Sequence, residues 1–383
     1  MKPSDLRVAL FSGNYNYVRD GANQALNLLV GHLLARGVKV RVYSPTVPEP
    51  AFAPTGDLVD VPALPLIGGR GEYRLAGGLT TRVRRDLEAF APNLVHVSAP
   101  DLLGHRAISF ARRRGLATLA SLHTRFETYP RYYGLPILEP VVMRLLKRFY
   151  RRVDRVMVPT PSIAALLKEW GVTTPTGIWS RGIDHDRFSP ARRDLAWRRA
   201  FGIGDEEMAI GFLGRLVKEK GLDIFAEVVT DLTRRGVPHK VLVVGEGPAR
   251  DWFRDQVPGA VFAGFQSGND LGRAVASMDV FFNPSVTETF GNVTLEAMAA
   301  GVPVVAARAT GAVDLIDEGE TGFLVPPREV AGYSQAIERI VRDPALRRQM
   351  GATGTARAAG YEWETANQAV LDAYLELMAR RTG

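Results

Sequence analysis

Two carboxylates, Glu288 and Glu296, flank the predicted start of a helix. The apolar residues 280–282 before them favour a buried strand, and Gly301 and Pro303 after them predict the end of the helix. A helix start presents unpaired backbone N–H groups and the positive end of its dipole, which attract an anion such as a diphosphate. Carboxylates accept hydrogen bonds from hydroxyl groups. The stretch therefore suits a ligand with phosphates in its middle and a polyol at each end, the shape of a nucleotide-sugar.

A cationic loop follows another predicted strand, residues 208–214. It reads Gly-Arg-Leu-Val-Lys-Glu-Lys-Gly from Gly214 to Gly221 and holds Arg215 and Lys220. The forked donors of arginine and the point charge of lysine are groups that bind a diphosphate. Glycines at both ends fit a tight phosphate loop, and a solvated charged surface is the alternative.

His123 lies in the polar and aromatic loop that follows the predicted strand 116–122. Ligands of open α/β sheets bind at the carboxyl ends of the strands. We therefore expect His123 to contact a sugar hydroxyl or the reacting centre, and a histidine that only caps the loop is the alternative.

The first loop of the chain joins a predicted strand, residues 7–12, to a predicted helix, residues 22–36. Its glycines are Gly13 and Gly21, so the G-x-G-x-x-G fingerprint is absent and a dehydrogenase loses most of its support. Gly21 would let the backbone approach a phosphate, or it is an ordinary turn glycine.

Residues 138–153 have the periodicity of an amphipathic helix. The expected buried stripe consists of Leu138, Val141, Val142, Leu145, Phe149 and Val153. The outer face carries Arg144, Lys147, Arg148, Arg151 and Arg152. Such a face either rests on anionic lipid or is simply solvated.

The net charge of +7 is unevenly distributed along the chain. Residues 1–170 hold 24 basic and 13 acidic side chains, and the remainder holds 24 and 28. The first half is therefore expected to face an anionic membrane surface or an acidic acceptor, with a basic surface that has no partner as the alternative. Nucleic acid is not predicted, because the arginines are not interleaved with aromatic residues on a recognisable binding module.

A chain of 383 residues suffices for two domains of ordinary size. The absence of cysteine excludes disulfides, thiolate metal sites and a cysteine nucleophile. Apolar runs stay well short of the roughly 20 residues that span a bilayer, and the first residues lead into a strand rather than a signal peptide. A cytoplasmic location is therefore predicted.

Strands and helices alternate in both halves, which predicts two doubly wound α/β sheets. Three helices follow at residues 329–342, 345–357 and 362–380. Asp184 and Asp186 have the spacing of a metal-binding pair, but they fall in a predicted interdomain turn without a second carboxylate cluster, so no metal site is predicted.

Taken together, these motifs resemble the glycosyltransferases of family 4, which have the GT-B fold. The resemblance rests on the cationic loop, Val-Val-Gly-Glu-Gly-Pro, the Glu288 to Glu296 stretch and Gly-Glu-Thr-Gly-Phe-Leu-Val-Pro-Pro, and it covers essentially the whole chain. Ser-Leu-His-Thr-Arg-Phe and Trp-Ser-Arg-Gly-Ile-Asp further resemble the subgroup of GDP-mannose-dependent α-mannosyltransferases and sulfoquinovosyl-diacylglycerol synthases. Many of its members build glycolipids.

The resemblance implies two Rossmann-like domains that face a central cleft. Residues 1–180 would bind the acceptor, residues 181–360 the nucleotide-sugar, and residues 361–383 would form a helix that packs back on the first domain. The enzyme would be a retaining glycosyltransferase without metal or cofactor. It would move a hexosyl, mannosyl or uronosyl group from GDP-mannose or a UDP-sugar to a lipid or lipid-linked glycan. It would act either free in the cytoplasm or as a peripheral protein on the inner membrane face.

Carried over by resemblance, the diphosphate would be bound by Arg215 and Lys220, and the ribose hydroxyls by Glu296. Glu288 and the backbone of Phe290, Gly291 and Asn292 would bind the transferred sugar, and His123 would lie near its reacting carbon. The base would lie near Phe265 and residues 244–247, which include Gly247, and Gly214 would belong to the phosphate loop. Relatives often have a Gly-Gly pair in the first loop where this chain has the single Gly21, which leaves its role open.

Two other classes of function remain. A nucleotide-sugar 2-epimerase has a similar fold but needs acid–base carboxylates and histidines around the sugar, a pattern that differs from Glu288, Glu296 and the Arg-Lys pair. A non-catalytic protein that binds a nucleotide-sugar is the second. The residues leave open the donor base, the sugar, the acceptor and the oligomeric state, because backbone groups often read the base and acceptor sites lie on variable loops.

Overall fold

The computed structural model describes residues 1–65, 74–132 and 134–382. Within them the chain forms two compact units. The first unit combines Met1–Arg181 with the segment that begins at Trp363, and the second unit is Gly182–Glu362. The carboxyl-terminal segment thus belongs to the same unit as the amino terminus.

The first unit contains a parallel sheet of seven described strands in the order β3-β2-β1-β6-β7-β8-β9. These strands are β1 (Arg7–Phe11), β2 (Lys39–Ser44), β3 (Asp57–Asp60), β6 (Leu94–Val97), β7 (Ala117–Ser121), β8 (Arg155–Val158) and β9 (Thr176–Ile178). A separate antiparallel pair is formed by β4 (Ala63–Pro65) and β5 (Arg74–Ala76). The helices are α1 (Gly21–Ala35), α2 (Thr81–Phe90), α3 (Leu102–Arg113), α4 (Tyr129–Tyr132), α5 (Glu139–Tyr150), α6 (Pro161–Glu169) and, from the end of the chain, α15 (Trp363–Thr382).

Both faces of this sheet are buried. Along β1, Val8 and Leu10 enter one core, while Ala9 and Phe11 enter the other, as the alternation of side chains in a strand requires. The core that contains Val8 and Leu10 also contains Leu26 of α1 and Tyr374 of α15. The core that contains Ala9 and Phe11 also contains residues of helices from the middle of the unit. Burial on both sides explains why the strands read as continuous apolar runs.

The second unit repeats this architecture with a six-stranded parallel sheet in the order β12-β11-β10-β13-β14-β15. Its strands are β10 (Ala209–Leu213), β11 (Lys240–Val244), β12 (Val261–Gly264), β13 (Val280–Asn283), β14 (Val304–Ala307) and β15 (Gly322–Val325). Its helices are α7 (Leu195–Ala200), α8 (Leu222–Arg234), α9 (Arg250–Gln256), α10 (Gly268–Ala276), α11 (Asn292–Ala299), α12 (Ala312–Leu315), α13 (Val330–Arg342) and α14 (Pro344–Ala358). The predicted pair of doubly wound α/β sheets is confirmed.

The sequence prediction was wrong about part of α5. Leu138, Val141 and Leu145, which we expected to be buried, are 44%, 50% and 50% exposed. Phe149 and Val153 are buried as predicted, and Leu146, which the prediction did not include, enters the core beside them. The apolar residues of this segment cover a wider arc than one contact face, and periodicity alone cannot show which edge of that arc meets the core.

Among the described helices, none combines the length and the apolarity that a bilayer span requires.

Candidate active site

Two loops meet at the carboxyl edge of the second unit's sheet. β10 and β13 are neighbours although they are distant in sequence, because the order of strands reverses between them. The crevice at such a reversal is the usual ligand site of an open α/β sheet. Here it brings Lys220, from the loop after β10, against Glu288, from the loop after β13, with Nζ 2.5 Å from Oε1.

Two helices begin beside this ion pair, and each has a glycine as its N-cap. Gly221 precedes α8 with φ of 73°, and Gly291 precedes α11 with φ of 96°, both in the left-handed region that favours glycine. A Cβ on Gly221 would lie 3.1 Å from the carbonyl oxygen of Pro284, so the small residue also permits close approach of the two loops. Glycine has no side chain with which to cap the first N–H groups of a helix, which leaves them to a ligand.

The cationic loop packs against the loop that follows β11. The backbone N–H of Leu216 donates to the carbonyl oxygen of Glu246 at 3.0 Å. A Cβ on Gly245 would lie 2.0 Å from the carbonyl oxygen of Gly214, and one on Gly247 would lie 2.4 Å from that of Leu216. Only glycine fits at these positions, and the contact fixes the path of the loop that carries Arg215.

Phe265 directly follows β12, the strand next to β11, and is 64% exposed. An exposed ring at the carboxyl edge of the sheet is suited to stacking on a planar base. Phe290 differs, because it is only 3% exposed and packs its ring against Tyr361, with 5.9 Å between the ring centroids. Its side chain belongs to the core, and only its backbone is available to a ligand.

The loop that carries Glu288 is held by the loop after β14. The hydroxyl of Thr310 donates to the carbonyl oxygen of Glu288 at 2.8 Å. Gly311, with φ of 82°, lies so close that a Cβ there would be 2.7 Å from the carbonyl oxygen of Phe290. These contacts hold the backbone of the loop that carries Glu288.

Asn292 and Glu296 lie one turn apart on α11, and both are half-buried. Burial raises the pKa of Glu296 to about 8, and the nearby charge of Arg187 opposes part of this rise. The raised pKa favours the protonated carboxyl group in the free protein. Hydrogen bonds from ligand hydroxyls would favour the ionised form.

In the first unit, His123 follows β7 and is half-buried. Its Nδ1 lies 2.8 Å from Nη2 of Arg181, and its ring meets the Trp179 ring edge-on at a centroid distance of 5.0 Å. Burial holds the pKa of His123 well below its ordinary value. The charges of Arg181 and His96 act in the same direction. The imidazole is therefore neutral at physiological pH.

A buried polar layer supports this histidine. His96, on β6, contacts the hydroxyl groups of Tyr374 at 2.6 Å and Ser121 at 3.0 Å. The indole N–H of Trp179 donates to the side-chain oxygen of Asn367 at 3.2 Å. Tyr374 and Asn367 both come from α15, so the last helix of the chain contributes directly to the support of His123.

Gly21 is the first residue of α1 and is not among the glycines with positive φ. Asp20 caps this helix by accepting from the N–H of Asn23 at 2.9 Å. Another carboxylate, Asp101, lies at the same edge of the sheet, and a Cβ on Gly13 would be 2.4 Å from its Oδ2. Burial raises the pKa of Asp101 to about 6.

The sequence singled out the cationic loop and the two glutamates as candidate site residues, but it did not single out the residues around His123. Arg181 and Trp179 lie in the Trp-Ser-Arg-Gly-Ile-Asp stretch. A tryptophan and an arginine next to the end of a strand were the signal that could have indicated these two site residues. Tyr374 gave no signal, because it lies on an ordinary helical stripe. Among the described residues, no group of three or more acidic or histidine side chains has the geometry of a metal site.

Two family models match this chain, and each covers most of one unit. Residues 19–187 match the family model described as Glycosyltransferase Family 4, and residues 207–343 match the one described as Glycosyl transferases group 1. A GDP-mannose-dependent alpha-mannosyltransferase of Mycobacterium tuberculosis is 31% identical over 98% of both chains. Sulfoquinovosyl transferase SQD2 of Arabidopsis thaliana is also 31% identical, over 76% of this chain and 58% of its own length.

Solved structures show the same fold. Sucrose-phosphate synthase from Thermosynechococcus elongatus superimposes with a TM-score of 0.81 at 21% identity, over 97% of this chain and 99% of that one. Anabaena HepE, solved in complex with UDP and glucose, gives 0.73 at 19% identity, over 96% of this chain and 99% of that one. With the matched family models and full-length relatives, these similarities identify the chain as a member of glycosyltransferase family 4 with the GT-B fold, an enzyme that transfers a sugar from a nucleotide-sugar.

Proposed function

We propose that this enzyme transfers a mannosyl or related hexosyl group, from GDP-mannose or a UDP-sugar, to a lipid or lipid-linked glycan acceptor. Transfer retains the anomeric configuration and uses no bound metal. The second unit binds the donor and the first unit binds the acceptor. The observation that carries this proposal is the Lys220–Glu288 pair between two glycine-capped helix starts.

Leaving-group stabilisation is the main catalytic device in this proposal. When the bond from the anomeric carbon to the phosphate oxygen breaks, the sugar becomes oxocarbenium-like and the diphosphate gains negative charge. Arg215, Lys220 and the start of α11 stabilise that charge in the transition state. The acceptor oxygen bonds to the same face of the anomeric carbon, and its proton passes to the departing phosphate oxygen, which gives retention without a protein nucleophile.

Each of the two glutamates has a distinct role. Glu288 accepts hydrogen bonds from hydroxyls of the transferred sugar, and its contact with Lys220 couples the sugar to the diphosphate. Glu296 accepts from the ribose hydroxyls and ionises as it does so, because those hydrogen bonds stabilise the carboxylate. Phe265 offers its exposed ring to the base.

The choice of donor is supported by the names of the relatives. The chain matches a protein named for GDP-mannose and mannosyl transfer over nearly its full length, and a sulfoquinovosyl transferase over most of it. Several other relatives are named D-inositol 3-phosphate glycosyltransferase, so acceptors vary among similar chains. GDP-mannose is therefore the first donor to test.

The surface around α5 supports a lipid acceptor. Leu135, Ile137, Leu138, Val141 and Leu145 are 44% to 83% exposed, and Ile137 is the most exposed of them. Beside them, a depression of about 730 Å³ is lined by Arg144, Lys147, Arg148, Arg151 and Arg152, with Pro140 and Met143. We call these apolar and basic residues the α5 face. Apolar side chains flanked by cations suit the interface of an anionic bilayer. The apolar side chains enter the acyl region, and the basic side chains contact the headgroups.

A donor panel followed by an acceptor assay tests the function. We expect GDP-mannose or one UDP-sugar to raise the melting temperature above the effect of its free nucleotide. When a lipid extract is added as the acceptor, the enzyme should release nucleoside diphosphate from the donor. The product should be a glycolipid whose sugar has the same α configuration as in the donor. A glycolipid of inverted configuration, loss of activity with EDTA, or transfer only to soluble sugars would each contradict a part of the proposal.

The same assay separates the alternatives. An epimerase would change the donor sugar without an acceptor, and a binding protein would be stabilised by the donor but release no nucleotide. Nucleotide release that depends on the acceptor is expected only of a transferase.

A further inference from the structure

The contact between Arg181 and His123 determines which ring nitrogen of the histidine carries a proton. A guanidinium has donors only and stays charged. Because Nη2 of Arg181 lies 2.8 Å from Nδ1 of His123, Nδ1 accepts. In the neutral ring the proton is then on Nε2, and His123 presents an N–H donor at that end.

Arg181 is held firmly in the place that this contact requires. It is 4% exposed, and its Nη1 donates to the carbonyl oxygens of Trp179 at 3.0 Å and Ser180 at 3.1 Å. The guanidinium carbon lies 5.3 Å from the centroid of the Trp179 ring. Within residues 1–65, 74–132 and 134–382, no carboxylate forms an ion pair with Arg181. A buried arginine held by carbonyl oxygens and an indole has a function other than charge neutralisation.

Burial and two ionisable neighbours in the described part of the chain, Arg181 and His96, oppose a second proton on the His123 ring. Arg181 remains positively charged although burial lowers its pKa to about 10. His96, on the adjacent strand, is buried and contributes in the same direction, and burial lowers its own pKa to about 3. Tyr374 and Ser121 contact His96 through hydroxyl groups that are neutral at physiological pH.

We propose that Arg181 is a positioning residue that holds His123 as a neutral Nε2–H donor. His123 then donates to an electron-rich oxygen of the transferred sugar or the acceptor and does not accept a proton during the reaction. A neutral donor suits this reaction, because an imidazolium would place positive charge beside an oxocarbenium-like carbon. The role in transfer rests on the proposed function, whereas the tautomer itself does not.

The tautomer is measured directly by nitrogen NMR of the full-length protein labelled with ¹⁵N-histidine. Long-range ¹H–¹⁵N correlation spectra distinguish protonated from unprotonated ring nitrogens, and His123→Gln assigns the signal. We expect the wild-type His123 to show an acceptor Nδ1 and a protonated Nε2 from pH 6 to 8. In Arg181→Met it should become a mixture of tautomers and titrate nearer to the ordinary value of about 6.5. Arg181→Lys, which retains a charged donor, should restore part of the wild-type signal.

Arg155→Met is the matched control, since Arg155 pairs with Glu376 at 2.8 Å in the same unit and does not contact His123. It should leave the His123 signal unchanged. A wild-type His123 protonated at Nδ1, or a tautomer that Arg181→Met leaves unchanged, would overturn the inference. Loss of the signal pattern in Arg155→Met as well would also overturn it, because general loosening would then explain the effect.

Kinetics test the consequence for transfer. Arg181→Met should lower kcat on the order of tenfold to a hundredfold, as expected when a group at the reacting centre is misplaced. Nucleoside diphosphate affinity should stay within about threefold, because the phosphate-binding groups lie in the other unit. If the NMR result holds and the wild type transfers no sugar, the proposed function fails while the tautomer assignment stands. An unchanged kcat in an active enzyme would overturn the role of the donor.

Discussion

Lys220 and Glu288 form an ion pair that joins the loop after β10 to the loop after β13, with their charged atoms 2.5 Å apart. Their side chains are 28% and 14% exposed, so the pair lies close to solvent and within reach of a ligand. A partly exposed pair of this kind contributes little to stability. Its importance lies in holding a cation and a carboxylate ready at the point where the strand order reverses.

Lys220→Ala should slow transfer by raising the activation barrier. Loss of one charge-stabilising donor costs about 2 kcal/mol or more, which is roughly 30-fold in kcat/KM. The measurement is the initial rate of nucleotide release with saturating acceptor. Lys240→Ala is the control, because Lys240 forms a surface contact with Glu207 at 3.9 Å at the amino end of β11. A variant at Lys220 that retains the wild-type rate would exclude this lysine from leaving-group stabilisation.

Glu288→Gln should impair turnover more than nucleotide binding. The amide removes the negative charge next to Lys220, so the lysine remains available to the diphosphate, whereas the acceptor for the sugar hydroxyls is weakened. We expect a large fall in kcat and an affinity for the free nucleoside diphosphate that is unchanged or higher, measured by calorimetry. Equal losses in both quantities would count against the assignment of Glu288 to the sugar.

The stability of the ligand-free protein should depend on the ionisation of Glu296. Its pKa is raised from 4.5 to about 8 in the folded protein, so the folded form holds the proton more tightly than the unfolded chain. Its contribution to stability is complete below about pH 4.5 and is lost progressively as the pH rises towards 8.

The glutamine in Glu296→Gln cannot ionise. When the pH rises from 5.5 to 8.5, the melting temperature of this variant should therefore fall less than that of the wild type. Thermal melts of the free protein across this range measure the difference. Glu320→Gln changes an exposed carboxylate and should follow the wild-type profile. Parallel profiles for wild type and Glu296→Gln would show that Glu296 is ionised throughout the range.

The α5 face should bind anionic vesicles through two kinds of contact. Ile137→Asp removes the most exposed apolar side chain of the α5 face and should abolish most of the binding, and Arg148→Glu should weaken it in a salt-dependent way. Sedimentation with vesicles of phosphatidylglycerol and phosphatidylcholine measures both effects, with pure phosphatidylcholine as the lipid control. Arg234→Glu reverses a charge on the second unit and should bind as the wild type does. Equal binding of all variants would exclude this face.

Much of the fold could be predicted from local sequence, because strands buried on both faces are continuous apolar runs between helical segments. The edge strand β3 was missed, since Asp57–Asp60 has acidic residues at both ends and lies partly exposed. The two loops of the candidate site were predicted from their glycines and charges. The contact of Lys220 with Glu288 could not be read locally, since it depends on β10 and β13 being neighbours. Arg181 was missed for the same reason, because it lies 58 positions from His123.

Helix α15 supplies Val370, Leu371 and Tyr374 to a core whose other members include Val8 and Leu26. During translation Val8 and Leu26 leave the ribosome long before α15 does. The core of the first unit therefore stays incomplete until α15 has been synthesised. The second unit is an uninterrupted stretch, Gly182–Glu362, and can complete its folding first. We therefore expect the unit that contains His123 to complete its core after the second unit has folded.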